Sequence, residues 1–147
     1  MSLLMVGVDH FKALNDSQGH QRGDECLMQV ASELTSLIKR QIDLVARYGG
    51  EEFAVILPAT SAADAKQLGG SIQLSILALK LPNPASPVGP FLTVSVGVAT
   101  ATPEGWKTPE ELVAAADEAL YSAKKSGRNR VVVAVQEPAS GDKAIHH

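Results

Sequence analysis

The chain has 147 residues, of which 45% are hydrophobic and 20% charged, the size and composition of one globular domain with its own core. Its net charge of −3 lacks the basic footprint of a nucleic-acid-binding protein, so we expect no nucleic-acid partner. The lone cysteine, Cys26, excludes an intrachain disulfide, and no apolar run approaches the ~20 residues of a membrane span. We therefore expect a cytoplasmic domain, which leaves membrane attachment of a longer protein open.

The first part of the chain predicts a strand and then a long helix. "LLMVGV", residues 3–8, is a near-continuous apolar run typical of a buried strand, and Asp9 follows at its carboxyl end. The polar stretch "HFKALNDSQGHQRGD" predicts a short helical turn followed by a loop. From Asp24 onward, apolar residues recur at a helical spacing until cations, suited to a helix C-terminus, mark its end near 39–40.

The next segment predicts a hairpin and a second helix. "DLVARY" and "EFAVIL" predict two strands, and we expect Gly49 and Gly50 between them to supply the positive φ angles of a tight turn. Pro58 ends the second strand. Ser61 begins a helix with Asp64 as its partner in a capping box.

The last part of the chain predicts a loop, a strand, a helix and a final strand. "LPNPASPVGP" is a proline-rich loop, and "FLTVSVGVAT" is a strand rich in β-branched residues. Thr108 is expected to cap a helix with Pro109 at its first position, and Gly127 to follow its end. "RVVVAV" is the last strand. We expect 136–147 to be a disordered tail whose terminal histidines resemble a tag remnant.

These elements predict an α+β fold in which helices pack on a sheet with antiparallel pairs. Two adjacent carboxylates, Glu51 and Glu52, lie at the hairpin tip, and the first strand is expected beside the hairpin, which would bring Asp9 near them. Carboxylates gathered at strand ends are typical ligands of hard divalent cations. Adjacent residues of a strand point to opposite faces, so one glutamate could bind metal while the other acts differently. The alternative is that both are solvated turn residues.

A basic pair lies at the end of the last predicted helix. Lys124 and Arg128 are four residues apart, one helical turn, so both can reach one anion. The alternative is that these cations complement the helix dipole. Carboxylates at one place and a basic pair at another are together the parts of a nucleoside triphosphate site.

Four motifs occur in the order "VDHFKALNDSQGHQRGDECL", "RYGGEEF", "LTVSVGVA" and "AADEALYSAKKSGRNRV". On these motifs the chain resembles the GGDEF family of diguanylate cyclases, in its GGEEF variant, with the domain spanning 1–135. The resemblance implies a central five-stranded mixed sheet with a ferredoxin-like core, as in nucleotidyl cyclases and polymerase palms. It also implies a homodimer in which two domains, each holding GTP and two Mg²⁺ or Mn²⁺ ions, meet face to face. The 3′-hydroxyl of each GTP attacks the α-phosphate of the other, giving cyclic di-GMP and two pyrophosphates.

The resemblance assigns the catalytic residues. It makes Glu51 a metal ligand together with the backbone carbonyl of Val8, and it makes Glu52 the acceptor of the 3′-hydroxyl proton. Phe11 and Lys12 lie where the family binds the β- and γ-phosphates, through backbone amides and the lysine.

The resemblance also assigns the substrate-binding residues. Asn15 and Asp24 would read the guanine edge, and Lys124 and Arg128 would hold the triphosphate. Gly49–Gly50 would let the backbone approach the nucleotide closely.

One metal-binding residue of the family pattern is missing here. The family writes "DxDxFK", and Gly7 stands at its first aspartate, so that position offers no side-chain oxygen. Asp9, two residues further on, points to the same face of a regular strand and is the candidate substitute. Arg40 and Asp43, by contrast, match the RxxD inhibitory motif at which the family binds cyclic di-GMP.

Two functions remain open at this point. The first is a diguanylate cyclase that condenses GTP, with an activity that the missing metal ligand at Gly7 could impair. The second is a catalytically degenerate domain that binds cyclic di-GMP or GTP as a regulatory module. The helix and "DxLTGLxNR" segment that usually precede the first strand in the family are absent from the start of the chain. We therefore expect a piece of a longer protein, with an attached sensor or EAL phosphodiesterase domain.

Overall fold

The structure, a computed structural model, describes residues 1–106 and 108–135, and the expected tail at 136–147 lies outside them. Five strands and four helices lie within the described residues. In chain order they are β1 (Ser2–Val8), α1 (Phe11–Gln18), α2 (His20–Leu37), β2 (Leu44–Arg47), β3 (Glu52–Leu57), α3 (Ala62–Ala78), β4 (Val94–Thr100), α4 (Pro109–Lys125) and β5 (Val131–Val133).

The strands form one mixed sheet in the order β2-β3-β1-β4-β5. All neighbouring pairs are antiparallel except β4 and β5, which are parallel and joined by α4. The order β4-β1-β3-β2 within it is that of a ferredoxin-like core. The predicted α+β class and five-stranded sheet are confirmed, and β1 does lie beside the hairpin. Its register places Gly7 opposite Glu52 on one side and Ser95 on the other.

Strand β1 is buried along its whole length because helices cover both faces of the sheet. Leu4, Val6 and Val8 face a core shared with α1, α2 and α3. Leu3 and Met5 face a second core that contains the apolar side of α4. This period-two alternation explains why the segment reads as continuously apolar.

Helix α4 approaches β4 very closely at Gly97. A Cβ atom there would collide with the backbone carbonyl of Ala116 and the backbone amide of Leu120. The helix itself begins as predicted, since the Thr108 hydroxyl accepts from the amide of Glu111 and the Glu111 carboxylate accepts from the amide of Thr108. A well-capped helix is thus seated directly on the centre of the sheet.

The stretch predicted as a short helical turn followed by a loop is helical through most of its length. Helix α1 occupies most of it, and α2 begins at His20 rather than at the predicted Asp24. The sequence signal is weak because α1 buries only Phe11 and Leu14. Gly19, at φ 90, separates the two helices. The predicted helix end near 39–40 is close to the observed end at Leu37.

The hairpin turn differs from the prediction. Four residues separate β2 from β3, and neither Gly49 nor Gly50 adopts the left-handed conformation expected of them. Instead, the amides of Tyr48 and Gly49 both donate to the carbonyl of Glu52, at 2.8 and 3.2 Å. The Arg47 guanidinium donates to the carbonyls of both glycines. A four-residue loop held this way does not need the positive φ angles of a two-residue turn.

Cys26, on α2, is fully buried in the core, and burial raises the pKa of its thiol. The residue therefore acts as a small hydrophobic side chain.

Within the described residues, no helix is long and apolar enough to cross a membrane.

We expect Gly97→Ala to destabilise the domain by about 1–3 kcal/mol, because the new methyl group has to push α4 off the sheet. Gly70→Ala is the matched control. A Cβ atom at Gly70 meets nothing within 4 Å, and the residue lies inside α3, so alanine should stabilise the domain by about 0.5–1 kcal/mol. Urea unfolding followed by circular dichroism measures both changes. Equal effects of the two substitutions would contradict the close approach.

Candidate functional site

A cavity of about 230 Å³ opens where β1 leaves the core. It gathers residues from the β1–α1 junction, the hairpin tip and the end of α4, which are far apart in the sequence. The lining residues are Val8, Asp9, His10, Phe11, Lys12, Ala13, Glu51, Lys124 and Arg128. The structure therefore brings the acidic tip and the basic pair, both named from the sequence, into one site.

The N-terminus of α1 forms one wall of the cavity. His10, at its N-cap, has φ 53, and its side chain makes no capping hydrogen bond. The first amide groups of a helix have no intrahelical partner, so those of Phe11 and Lys12 can receive an anion. Burial, and after it the charge of Arg128, lowers the pKa of the His10 imidazole, which keeps the ring neutral at neutral pH. The Lys12 ammonium is exposed and lies 3.5 Å from the carboxylate of Asp16.

The two glutamates of the hairpin tip have different surroundings. The carbonyl of Glu51 accepts from the amide of Val8 at 3.1 Å, which fixes the tip against the end of β1, and Glu51 lines the cavity. The Glu52 carboxylate lies 3.9 Å from the ammonium of Lys124, and both side chains are about a quarter exposed. Glu52 is therefore paired with a cation, at more than hydrogen-bond distance.

Lys124 also covers Gly7. A Cβ atom on Gly7 would lie 3.1 Å from Cε and 3.2 Å from Nζ of Lys124, and 3.3 Å from Cδ2 of Leu120. The side chain of Lys124 thus lies across the position where the family pattern has a carboxylate. A Cβ atom at Gly7 requires a shift of only a few tenths of an ångström, most of it at the flexible end of Lys124.

Asp9 lies beside these groups, but its carboxylate is directed into the protein. It is 1% exposed. Its Oδ1 accepts from the Ser95 hydroxyl at 2.7 Å, and its Oδ2 accepts from the Thr93 hydroxyl at 2.7 Å and from the Asn129 amide at 3.0 Å. These contacts argue against Asp9 as a substitute for the side chain missing at Gly7.

Asn15 and Asp24 lie next to the cavity rather than in it. Asn15 is half-buried on α1, and its Oδ1 has no hydrogen-bond partner among the described residues. That oxygen lies against Gly23 of α2, where a Cβ atom would collide with it. Asp24 follows Gly23 and is exposed. An unpaired amide oxygen and an exposed carboxylate are therefore placed on adjoining helices.

A family model described as "Diguanylate cyclase, GGDEF domain" matches residues 1–130. The chain belongs to the GGDEF domain family. It is 43% identical over 132 residues to the response regulator PleD of Caulobacter vibrioides, covering 90% of this chain and 29% of PleD. It is 42% identical over 133 residues to the diguanylate cyclase DgcM of Escherichia coli, covering 90% of this chain and 30% of DgcM. The chain thus spans less than a third of the length of these relatives.

Solved structures agree with this assignment. The GGDEF domain of DgcB from Caulobacter crescentus in complex with c-di-GMP superposes with a TM-score of 0.80 at 36% identity, covering 90% of this chain and 77% of that one. The active GGEEF domain of a diguanylate cyclase from Vibrio cholerae also gives a TM-score of 0.80, at 30% identity, covering 92% of this chain and 83% of that one.

In this GGDEF domain, Arg40 and Asp43 lie outside the cavity and pair with each other. The guanidinium donates to both carboxylate oxygens, at 2.7 and 2.9 Å, and this raises the pKa of Arg40. It also donates to the carbonyl of Pro58 at 2.9 Å and to the hydroxyl of Thr60 at 2.6 Å. The Asp43 side chain is only 6% exposed, so the arginine, at 46%, is the part that a ligand meets first.

Sequence reasoning missed His10 and the partners of Asp9. Thr93 and Ser95 did carry a signal, because two polar residues at alternate positions of a β-branched strand point to one face and need a buried partner. Nothing local distinguishes Asn129, whose backbone amide is the group that binds, or His10.

Proposed function

We propose that this GGDEF domain is a diguanylate cyclase that condenses two GTP molecules into cyclic di-GMP. In each of two steps, a 3′-oxygen forms a bond to the α-phosphorus of the other nucleotide, the bond to the β-phosphate oxygen breaks, and pyrophosphate leaves. The observation that carries the proposal is the cavity itself, where a basic pair, a helix N-terminus and a carboxylate converge.

The cavity suits the triphosphate end of the nucleotide. Lys124 and Arg128 supply two positive charges, and the amides of Phe11 and Lys12 supply donors at a helix N-terminus. A volume of about 230 Å³ is below the roughly 300–1,000 Å³ of pockets that enclose a whole drug-sized ligand. The base would therefore lie outside the cavity, toward α1 and α2.

Asn15 and Asp24 are the proposed readers of the guanine edge. Guanine offers N–H donors, and the exposed carboxylate of Asp24 is an acceptor for them. The unpaired Oδ1 of Asn15 is buried against Gly23, so the Asn15 side chain has to turn before it can meet the base. Adenine lacks the matching donors, so it would leave the Asp24 carboxylate unpaired. Gly49 and Gly50 add no side chain at the hairpin tip, and the space beside Gly50 is open, because a Cβ atom there would meet nothing within 4 Å.

The donor set fits one divalent cation better than two. Within the described residues, no group of three or more His, Cys, Asp or Glu side chains could hold a metal ion. Mg²⁺ is commonly held by one or two carboxylates together with substrate phosphates, which Glu51 and the carbonyl of Val8 can match. The second ion expected from the family would lack a carboxylate at Gly7. A bound Mg²⁺ or Mn²⁺ would neutralise phosphate oxygens.

Glu52 is the proposed acceptor of the 3′-hydroxyl proton. Its ion pair with Lys124 is loose, at 3.9 Å, and both side chains remain accessible, so an incoming hydroxyl can reach the carboxylate. The attacked phosphate belongs to the GTP of a second chain, so the reaction requires a homodimer with two cavities face to face.

Incubation with GTP and Mg²⁺ or Mn²⁺, followed by chromatography, tests the function. We expect GTP to yield cyclic di-GMP and pyrophosphate, and ATP to be left unconsumed. Asp24→Ala should weaken GTP binding by at least about 1 kcal/mol, because the base edge loses an acceptor. Glu25→Ala, at the neighbouring exposed carboxylate that pairs with Arg22, is the control. Equal affinity for ATP and GTP would contradict the assigned base readers.

Gly7 is the observation that favours a second candidate, a regulatory module that binds nucleotide without turning it over. We expect Gly7→Asp to raise both Mn²⁺ affinity and cyclic di-GMP production about tenfold or more, because a carboxylate adds charge where metal and phosphate meet. Gly7→Asn adds a side chain of the same volume without the charge, so it should raise neither Mn²⁺ affinity nor cyclic di-GMP production. Calorimetry with Mn²⁺ and a non-hydrolysable GTP analogue gives the affinities. If the unaltered chain turns over GTP as fast as the aspartate variant, the glycine is no impairment.

We also propose that cyclic di-GMP binds at Arg40 and Asp43, a proposal supported by the similar structure of the DgcB domain, which is in complex with c-di-GMP. Arg40→Ala should abolish this binding, because the guanidinium is the exposed, charged part of the pair. Lys39→Ala, which removes a neighbouring exposed cation, should bind as the unaltered chain does. Titration calorimetry at tens of micromolar measures both. Retained binding in Arg40→Ala would place the product site elsewhere.

A further inference from the structure

Three consecutive residues after α4 have left-handed backbone conformations. Gly127 has φ 131, Arg128 has φ 64 and Asn129 has φ 49. Only the first is a glycine, so the other two adopt a conformation that residues with a Cβ atom rarely take. Such a turn persists only where surrounding contacts determine it.

The contact from inside the protein is made by Asp9. Its buried carboxylate accepts from the amide of Asn129 at 3.0 Å, and hydroxyls of Thr93 and Ser95 hold the carboxylate in place at 2.7 Å each. A buried charge is stable only where such donors surround it. The contact joins residues 120 positions apart in the chain.

A second contact holds the turn from the other side. The side-chain amide of Gln73, on α3, donates to the backbone carbonyl of Asn129 at 3.1 Å and to its Oδ1 at 2.9 Å. Asn129 is thus held at its amide by Asp9 and at its carbonyl by Gln73. Arg128, the residue before it, has its own amide bound to the carbonyl of Ala123 at 2.9 Å.

We propose that Asp9 is a positioning residue, which fixes the left-handed turn through Asn129 and so directs Arg128 into the cavity. The inference rests on the proposed function, since it assumes that Arg128 holds the triphosphate. Asp9 does not act as a metal ligand. Its Oδ2 already accepts two hydrogen bonds, its Oδ1 accepts a third, and a hydrated cation has no open path to a side chain that is 1% exposed.

Binding of inorganic triphosphate in metal-free buffer, measured by calorimetry, tests the proposal. We expect Asp9→Ala to weaken binding about tenfold, the size of one lost hydrogen bond to a charged group. Asp9→Asn should lower triphosphate affinity threefold or less. The side-chain oxygen of the new asparagine can still accept from the amide of Asn129, and its side-chain nitrogen can donate to the hydroxyl of Ser95. Thr93→Val, which removes a donor to Asp9 and leaves the Asn129 contact, should bind within about twofold of the unaltered chain.

A double-mutant cycle separates positioning from general loss of structure. In the Arg128→Ala background, Asp9→Ala should change triphosphate affinity by less than twofold, because the group it positions is gone. Hydrogen exchange at the amide of Asn129 should speed up in Asp9→Ala and not in Asp9→Asn. If Asp9→Ala does not fold, Gln73→Leu is used instead, because Gln73 does not line the cavity. Gln73→Leu should weaken triphosphate binding about threefold when Arg128 is present, and should not weaken it in the Arg128→Ala background.

Several results overturn the proposal. The first is unchanged triphosphate affinity in Asp9→Ala, or in Gln73→Leu where that variant is used. The second is an equal loss of affinity in Asp9→Asn and Asp9→Ala. The third is an undiminished effect of Asp9→Ala on affinity in the Arg128→Ala background. Failure of the cyclase function gives a different result. Triphosphate then binds, and the double-mutant cycle of Asp9 and Arg128 gives the expected affinities, but GTP yields no cyclic di-GMP. Absence of triphosphate binding in the unaltered chain overturns the positioning role of Asp9, whereas the cyclase function is tested separately by the incubation with GTP and Mg²⁺ or Mn²⁺.

Discussion

Strand β1 is buried on both faces, and this constraint decides where polar chemistry can lie. A charge within residues 2–6 would be costly, because neither face of the strand reaches water. Gly7, next to the end of the strand, lies against the ammonium of Lys124, so a carboxylate there would have a cation to pair with. The first carboxylate, Asp9, comes where the strand leaves the core. Antiparallel pairing then sets Glu52, at the start of β3, opposite Gly7, near the end of β1. The acidic tip and the end of β1 therefore meet at one end of the strands, and α4, which packs on the centre of the sheet, ends near that point and brings Lys124 and Arg128 there.

The charge balance of the cavity favours an anion over a free metal ion. Lys12, Lys124 and Arg128 line it, against the single accessible carboxylate of Glu51. The carboxylate of Asp9 is buried and already accepts three hydrogen bonds, so it adds little negative charge to the cavity. The first aspartate of the family pattern is replaced by Gly7. A divalent cation should therefore enter together with the triphosphate, whose oxygens supply the negative charge that the protein lacks. Lys124, which lies over Gly7 and beside Glu52, already supplies a positive charge at that point.

What the sequence predicted well depends on local patterns. The strands, the hairpin and the capped helix α4 each follow from residues within one segment, and the order of elements indicated the fold class. Helix α1 was predicted only as a short helical turn because it buries too few residues to show a period. The role of Asp9 escaped prediction because its partners lie 84 to 120 positions away. Spacing indicated that the carboxylates and the basic pair are parts of one nucleoside triphosphate site, but it could not show which carboxylate faces inward.

The proposed product site and the cavity lie at opposite ends of β3. Arg40 is bound to the carbonyl of Pro58, just beyond the end of the strand, whereas Glu52 begins it. Six residues at about 3.3 Å each separate these points by about 20 Å. A ligand held by Arg40 therefore lies about 20 Å along β3 from the end of the strand that adjoins the cavity. Strand β3 is paired on both sides, which resists a sliding motion that could carry a signal along it. If the proposed reaction between two cavities holds, product binding at Arg40 would instead act on how two chains approach each other.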